Sequence, residues 1–322
     1  MQTDEGTRQK AVVIAGPTAS GKSSCAVALC RMTGGAVLSM DSMQIYRHMD
    51  IGTAKVTKEE MQGVRHYLID ILNPDENCSI SDFQAAADAA LAECRKNGVL
   101  PVLAGGTGFY LHAVVYGNDF GRDTGADRTL RDRLQTIAME QGAEALHHRL
   151  EAVDPEAAAS IHPNNVKRVI RALEYYEETG RPISAHNLEE KRRMPRLDFA
   201  GFLLQEDRAR LYERINRRVD MMREAGLTEE VRGLLSAGIM PGATSLQAIG
   251  YKEIVQYLEG KCTEDEAYEA IRTGSRHYAK RQNTWFKREA GLERIDIDAF
   301  DCDPERIAGY MLQRIQEKGI LT

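Results

Sequence analysis

The segment Gly16-Pro17-Thr18-Ala19-Ser20-Gly21-Lys22-Ser23 matches G-x-x-x-x-G-K-[ST], the pattern of a phosphate-binding loop. Its glycines let the backbone turn so that successive N–H groups can point at phosphate oxygens. Lys22 would neutralise the outer phosphates, and the Ser23 hydroxyl would hold Mg²⁺. An apolar run over 11–15 precedes the loop and a helical run over 24–32 follows it. This strand–loop–helix context predicts a phosphate site that uses all eight residues, with the helix N-terminus adding its positive dipole end.

Two further polar groups follow predicted strands. Asp41 ends an apolar run over 36–40, and Gly105-Gly106-Thr107 follows another run over 99–104. A carboxylate at the end of a strand could ligate Mg²⁺ or act as a general base, or it could only cap a helix. Because ligands gather at the carboxyl ends of parallel strands, we expect both groups to share one cleft with the phosphate loop.

The elements that must position these groups alternate between strand and helix in the first part of the chain. Strands are predicted at 11–15, 36–40, 67–72 and 99–104, and a capping box at Ser81 is predicted to open a helix that runs to Lys96. Later strands are predicted at 199–204 and 292–297, with helices over 207–224, 245–259, 263–289 and 303–318. This alternation predicts an α/β fold, a P-loop NTPase-like parallel sheet flanked by helices.

The middle of the chain changes character. A polar, glycine-containing joint over 118–127 leads into a helical pattern from 128 to about 188 with little strand signal. We therefore expect an all-helical insertion domain over 123–197. It would divide the P-loop core into a first part over 1–122 and a second part over 198–322.

Composition limits the class of protein. The chain has 322 residues, is 43% hydrophobic, and has no apolar run long enough to span a membrane. Its N-terminus does not read as a signal peptide, and its six cysteines lack C-x-x-C or zinc spacing. These features predict a reduced, cytoplasmic protein without structural zinc.

Charge is uneven along the chain. The net charge of −6 argues weakly against nucleic acid, yet basic residues cluster over 272–294 and 191–196 and at Lys167, Arg168 and Arg171. A local basic surface can bind a polyanion whatever the net charge. Each cluster could also be only a solvated helix face.

The phosphate loop alone does not name a reaction. The guanine signature N-K-x-D is absent, which argues against a GTPase. Nucleotide kinases and small-molecule kinases, in which the loop would hold ATP, remain open on these residues.

A set of motifs in a fixed order distinguishes these alternatives. They are G-P-T-A-S-G-K-S (16–23), D-S-M-Q-I-Y-R (41–47), D-I-G-T-A-K (50–55), G-G-T-G-F-Y (105–110), H-P-N-N-V-K-R-V-I-R-A-L-E (162–174), A-I-G-Y-K-E (248–253) and A-K-R-Q-N-T-W-F (279–286). Together they resemble the bacterial tRNA dimethylallyltransferase (tRNA isopentenyltransferase, MiaA) family over nearly the whole chain. Two features differ from some relatives: Ser23 stands where many members have Thr, and no C-terminal zinc finger is present.

The resemblance implies transfer of a dimethylallyl group from dimethylallyl diphosphate to N6 of adenosine 37, in tRNAs that read UNN codons. It implies Asp41 as general base, Thr107 as an orienting group, and Arg218 as the arginine at the diphosphate, with Arg217 as the alternative register. Mg²⁺ would be the cofactor, and we expect a monomer without a membrane partner. The implied contacts to the anticodon stem-loop are Asp41, Ser42, Met43, Gln44, Thr107, Arg131, Lys167, Arg168, Val169, Ile170, Arg171, Gln247, Ala248, Ile249, Gly250, Tyr251 and Lys252.

Overall fold

A parallel six-stranded sheet is the centre of the computed structural model, which describes residues 8–118 and 128–321. Its strands are β1 (Gln9–Ala15), β2 (Ala36–Ser39), β3 (His66–Tyr67), β4 (Pro101–Gly105), β5 (Leu197–Gln205) and β6 (Leu292–Asp296). They lie in the order β3-β2-β4-β1-β5-β6, and every pairing is parallel. The predicted fold class, a P-loop-like parallel sheet flanked by helices, is confirmed.

The central strand β1 is buried on both faces, as expected for a parallel sheet covered by helices. Residues 11–15 are fully buried, and Val12 pairs in register with Val102 of β4 and Ala200 of β5. The phosphate loop therefore leaves the sheet at its most rigid point, between the ends of two neighbouring strands.

Helices surround this sheet. Before the insertion they are α1 (Lys22–Thr33), α2 (Lys58–Met61), α3 (Ile80–Lys96) and α4 (Gly108–Tyr116). After it come α10 (Arg208–Glu224), α11 (Leu227–Ser236), α12 (Tyr251–Leu258), α13 (Glu264–Phe286) and α14 (Pro304–Glu317), with 3₁₀ turns at Ser245–Gln247 and Ile297–Phe300. One hydrophobic cluster joins α1 and α14 to the sheet, through residues such as Leu29, Phe202 and Met311.

Two local predictions are wrong. The capping box of α3 is formed by Ser79 and Asp82, not by Ser81, because the Ser79 hydroxyl accepts the Asp82 N–H while the Asp82 carboxylate accepts the Ser79 N–H. The predicted strand at 67–72 is only two residues long in the structure. Leu68 and Asp70 have φ values of 66° and 55°, which interrupt extended backbone, and only Leu72 makes a further bridge, to Tyr46.

The described residues form two compact units, one made of 8–115 with 196–321 and the other of 116–118 with 128–195. The second unit contains α5 (Arg128–Glu140), α6 (Ala143–Val153), α7 (Pro155–Ser160), α8 (Val166–Thr179) and α9 (Ile183–Lys191) around their own apolar core. The chain leaves and re-enters the first unit at one point, where the Arg196 N–H donates a 2.9 Å hydrogen bond to the Val115 carbonyl. In the structure the helical unit begins after residue 115 and ends before residue 196, whereas the sequence predicts boundaries after 122 and after 197. Most of the predicted joint, 119–127, lies outside the described residues.

Candidate active site at the carboxyl ends of the strands

The phosphate loop is held in a strained, preformed turn. Gly21 has φ 82° and Ala19 has φ 64°, the left-handed region that glycine tolerates and alanine rarely adopts. The Lys22 ammonium donates to the Pro17 carbonyl, which closes the loop upon itself. The Ser20 hydroxyl is buried without a hydrogen-bond partner among the described residues. A buried hydroxyl without a protein partner, in a loop of this motif, suits an oxygen-rich ligand.

Helix α10 directs arginines toward this loop. The Arg218 guanidinium donates to the Thr18 hydroxyl at 3.4 Å and to the Ala54 carbonyl at 3.5 Å, whereas the neighbouring Arg217 is exposed. Arg218 is therefore the member of the pair that lies against the phosphate loop.

Burial and neighbouring positive charge lower the pKa values of Lys22 and Arg218. Burial, with a further contribution from Arg218, lowers the pKa of Lys22 to about 7, and burial also lowers the pKa of Arg218. Asp41 acts in the opposite direction on both groups. An anion placed between Lys22 and Arg218 would relieve this repulsion, so the electrostatics favour a diphosphate.

Asp41 faces the same cavity. Its Oδ1 accepts a 2.9 Å hydrogen bond from the Met43 N–H, which leaves the other carboxylate oxygen for a ligand. The cavity is bounded by Thr18, Lys22, Ser23, Asp41, Gly106, Arg218 and Tyr278, among other residues. The structure thus brings the predicted base, the phosphate loop and the predicted diphosphate arginine together.

Thr107 reaches the site through the turn after β4. Its N–H donates to the Met40 carbonyl at 3.3 Å, next to Asp41, and its side chain lies near the Tyr278 hydroxyl. Gly105 is required at this crossing, because a Cβ there would lie 2.3 Å from the Met40 carbonyl oxygen. Thr107 is therefore fixed beside the strand end that carries Asp41.

A second cavity of about 360 Å³ also has Asp41 in its wall and shares Thr18, Arg218 and Tyr278 with the first. It is lined by several residues of the expected tRNA-contacting set, Ser42, Met43, Gln247, Ala248, Ile249 and Lys252, together with Arg281 and Tyr278. The remaining members of this stretch have other positions: Gly250 is buried, and the buried Tyr251 hydroxyl is bonded to Glu230. Gln44 uses its amide within the protein, toward the Ser39 hydroxyl and the Thr53 and Ala54 carbonyls.

The helical unit carries the other expected tRNA-contacting residues. Lys167 and Arg168 are exposed on α8, but the side chains of Val169 and Ile170 are buried in the apolar core. Any contact to RNA from this segment would therefore use its basic side chains. Arg131 is paired with the buried Glu174 by two hydrogen bonds of 2.7 and 2.8 Å, and Arg171 is half-buried.

Sequence reasoning missed three residues that organise the site: Tyr278 and Gln282 on α13, and Glu230 on α11. Gln282 lies within the motif over 279–286, and Tyr278 lies directly before it. Their spacing of four residues places them on one face of a helix. Nothing in the sequence indicated against which strand ends this face of α13 would pack.

The donor groups present suit magnesium. Among residues 8–118 and 128–321, no cluster of three or more His, Cys, Asp or Glu could hold a metal ion. Ser23 and Asp41 line one cavity with room for a phosphate ligand, and hydroxyl, carboxylate and phosphate oxygens are the ligands that Mg²⁺ prefers. In the same ranges, no helix is long and apolar enough to cross a membrane.

A phosphate loop after the central strand β1, with a carboxylate after β2, two strands away in the same parallel sheet, defines a P-loop α/β enzyme that acts on a phosphorylated substrate. A family model described as IPP transferase matches residues 44–289. The chain belongs to the IPP transferase family.

Relatives and solved structures agree with this assignment. The chain is 46% identical over 296 residues to a tRNA dimethylallyltransferase of Acetivibrio thermocellus. The matched region covers 92% of this chain and 94% of the relative. It is 48% identical over 300 residues to one of Geobacillus thermodenitrificans, with 93% of each chain covered. Its structure resembles the tRNA isopentenylpyrophosphate transferase of Bacillus halodurans with a TM-score of 0.71 at 44% identity, covering 97% and 98% of the two chains. A eukaryotic dimethylallyltransferase acting on tRNA gives a TM-score of 0.76 at 28% identity, covering 89% of this chain and 74% of that one.

Proposed function

We propose that this chain transfers a dimethylallyl group from dimethylallyl diphosphate to N6 of adenosine 37 in tRNAs that read UNN codons, and releases diphosphate. The observation that carries the proposal is the convergence of Lys22, Arg218 and Asp41 on one cavity, with a second cavity that also has Asp41 in its wall. The relatives named tRNA dimethylallyltransferase favour this activity over a kinase.

The donor's diphosphate would lie in the phosphate loop. As the allylic C–O bond breaks, its electron pair leaves with the diphosphate, and negative charge increases there. Lys22 and Arg218 line that cavity and would stabilise the charge as it forms. Because these groups are already in place, little reorganisation accompanies the reaction.

The acceptor would reach Asp41 through the second cavity. Adenine N6 is a weak nucleophile because its lone pair is delocalised into the ring. As the new C–N bond forms, Asp41 accepts the N6 proton and prevents positive charge from accumulating on nitrogen. The Thr107 and Tyr278 hydroxyls would orient the reacting groups, and the base must leave its stack to enter.

The Ser23 hydroxyl, with diphosphate oxygens, would hold Mg²⁺ in this scheme. When bound, the ion neutralises charge on the diphosphate. The chain's own residues orient the diphosphate through the loop and Arg218.

The helical unit would bind the anticodon stem. Lys167 and Arg168 are exposed, with Arg171 half-buried one turn further along the same helix. Such residues contact phosphates and position the RNA, while contacts to splayed bases provide sequence choice. Every residue in the scheme belongs to one chain, so a monomer suffices.

Incubation with labelled dimethylallyl diphosphate, Mg²⁺ and unmodified tRNA, followed by nucleoside analysis, tests the proposal. We expect labelled N6-(dimethylallyl)adenosine at position 37 and no product without Mg²⁺. In a parallel thermal-unfolding assay, dimethylallyl diphosphate should stabilise the protein. Stabilisation by ATP alone, with no labelled nucleoside, would favour a kinase.

A further inference from the structure

The Gln282 side chain connects two parts of the site that are far apart in sequence. Its Oε1 accepts a 2.8 Å hydrogen bond from the Thr18 N–H in the phosphate loop. Its Nε2 donates a 3.0 Å hydrogen bond to the Gly106 carbonyl, in the turn that carries Thr107. The Tyr278 side chain lies close by, one helical turn earlier. Gln282 is buried, so no bulk water can replace these partners.

The Gln282 amide satisfies both backbone groups at any pH. One partner is an N–H and needs an acceptor, whereas the other is a carbonyl and needs a donor. An ionised carboxylate could serve Thr18 but not Gly106, and an apolar side chain could serve neither. The turn is fitted closely around the amide, because a Cβ on Gly106 would lie 2.1 Å from Nε2 of Gln282.

This connection continues to the predicted base. Thr107 follows Gly106 and donates its N–H to the Met40 carbonyl, and Met40 directly precedes Asp41. The path from Thr18 to Asp41 therefore passes through Gln282, the Gly106–Thr107 turn and Met40. Its first end lies at the donor diphosphate and its last at the acceptor amine.

From this geometry we propose that Gln282 is a positioning residue that fixes the phosphate loop relative to Asp41 and Thr107, so that donor and acceptor meet in reactive alignment. The proposal rests on the transfer reaction proposed above. Gln282 lines the same cavity as Lys22 and Asp41, but its amide is bonded to Thr18 and Gly106. Its effect is on the distance and angle between donor and acceptor, and misplacement of about 1 Å can reduce a rate by roughly 100-fold.

The first experiment separates alignment from binding. Gln282→Met keeps the side chain's length and removes both hydrogen bonds, and Gln256→Met, on the exposed side of α12, is the matched control. At saturating tRNA and dimethylallyl diphosphate, single-turnover transfer by Gln282→Met should fall roughly 10- to 100-fold. Equilibrium affinities for each substrate should change far less, and the control should match wild type. A rate within about twofold of wild type would overturn the positioning role.

The second experiment uses a conservative variant. In Gln282→Glu the ionised carboxylate faces the Gly106 carbonyl and should slow transfer, whereas the protonated acid can donate to Gly106 and accept from Thr18. The ratio of variant to wild-type rate should therefore rise as the pH is lowered, while the Gln282→Met ratio stays flat. The ionisable groups that line the two cavities are Lys22, Asp41, His66, Arg218, Lys252, Tyr278 and Arg281, and all of them are present in wild type too. Dividing by the wild-type rate at each pH removes their contribution. A flat Gln282→Glu ratio would contradict the proposal.

Hydrogen exchange gives a readout that does not depend on the reaction. The Thr18 amide should exchange faster in Gln282→Met than in wild type, because it loses its acceptor. Unchanged exchange would show that Gln282 does not hold the loop. If wild-type protein itself fails to modify tRNA, the proposed function is wrong, whereas active wild type with equally active Gln282 variants refutes only this inference.

Discussion

The Tyr251 hydroxyl donates a 2.6 Å hydrogen bond to Oε1 of Glu230, and the same carboxylate accepts the backbone N–H groups of Asp50, Ile51 and Gly52. One side chain of α11 thereby joins the start of α12 to the loop that precedes Thr53 and Ala54. Burial and the Glu230 charge raise the pKa of Tyr251 well above its usual value, so its hydroxyl remains a donor. Ala54 in turn provides the carbonyl that Arg218 contacts.

Tyr251→Phe should destabilise the protein by about 1–3 kcal/mol, the value of a buried hydrogen bond to a charged acceptor. Chemical denaturation measures this, with Tyr257→Phe on the same helix as the control. Equal stability of the two variants would mean that the Glu230 contacts to the loop suffice without the hydroxyl.

Asp41→Asn should fold normally, because the amide oxygen can still accept the Met43 N–H. It should bind both substrates and lose transfer by on the order of 10²–10⁴-fold, since the N6 proton has no acceptor. Single-turnover kinetics with labelled donor measure the effect, and Asp198→Asn, an exposed carboxyl on β5, is the control. Near-normal turnover would remove Asp41 from the base role.

Donor affinity should weaken as the pH rises above about 7, where Lys22 loses its proton in the free protein. The diphosphate favours charged Lys22 and raises its pKa in the complex, so binding takes up a proton. Donor affinity is therefore greatest below the pKa of Lys22 in the free protein. It falls by up to about tenfold per pH unit as the pH rises, until the pH exceeds the pKa of Lys22 in the complex. Calorimetry in buffers of different ionisation enthalpy measures the proton uptake. A binding enthalpy independent of buffer above pH 7 would contradict this assignment.

The pKa of Lys22 also affects folding. Because its pKa is lower in the folded than in the unfolded chain, unfolded protein binds more protons between the two values. This group therefore makes the fold more stable as the pH rises from about 7 toward 10.5, the ordinary lysine value. Lys22→Met should flatten that part of the stability–pH curve, as followed by denaturant midpoints.

Combined Lys167→Gln and Arg168→Gln substitutions should weaken tRNA binding and reduce its salt dependence. Each phosphate contact that forms releases counterions from the RNA, so a variant with fewer contacts releases fewer of them. Donor affinity should not change. Arg95→Gln with Lys96→Gln, two exposed residues at the end of α3, changes the net charge equally and is the matched control. The same salt slope for both double variants would identify the α8 cluster as a solvated face.

The sequence predicts the parallel sheet and its helical surroundings because these depend on local patterns. Local sequence alone is enough to recognise the apolar runs, the glycine turns and the loop at 16–23 that precedes a helix. Long-range geometry is not: Gln282 is separated by 264 positions from Thr18, and only the fold brings them together. The positive φ at Leu68 likewise ends β3 although the residue type favours a strand. In the motif over 162–174, the resemblance does not separate the buried Val169 from the exposed Lys167, although helical periodicity could have done so.

The hydrogen bond between Val115 and Arg196 makes residues 116–195 a cassette. Since both ends of the excursion are already adjacent in the core, removing it opens no gap in the sheet and leaves β1 and β5 paired as before. A short glycine bridge from 115 to 196 would close a loop at small entropic cost. The topology thus allows the helical unit, for which we propose RNA binding, to be added to or taken from the parallel-sheet unit as one contiguous stretch of sequence.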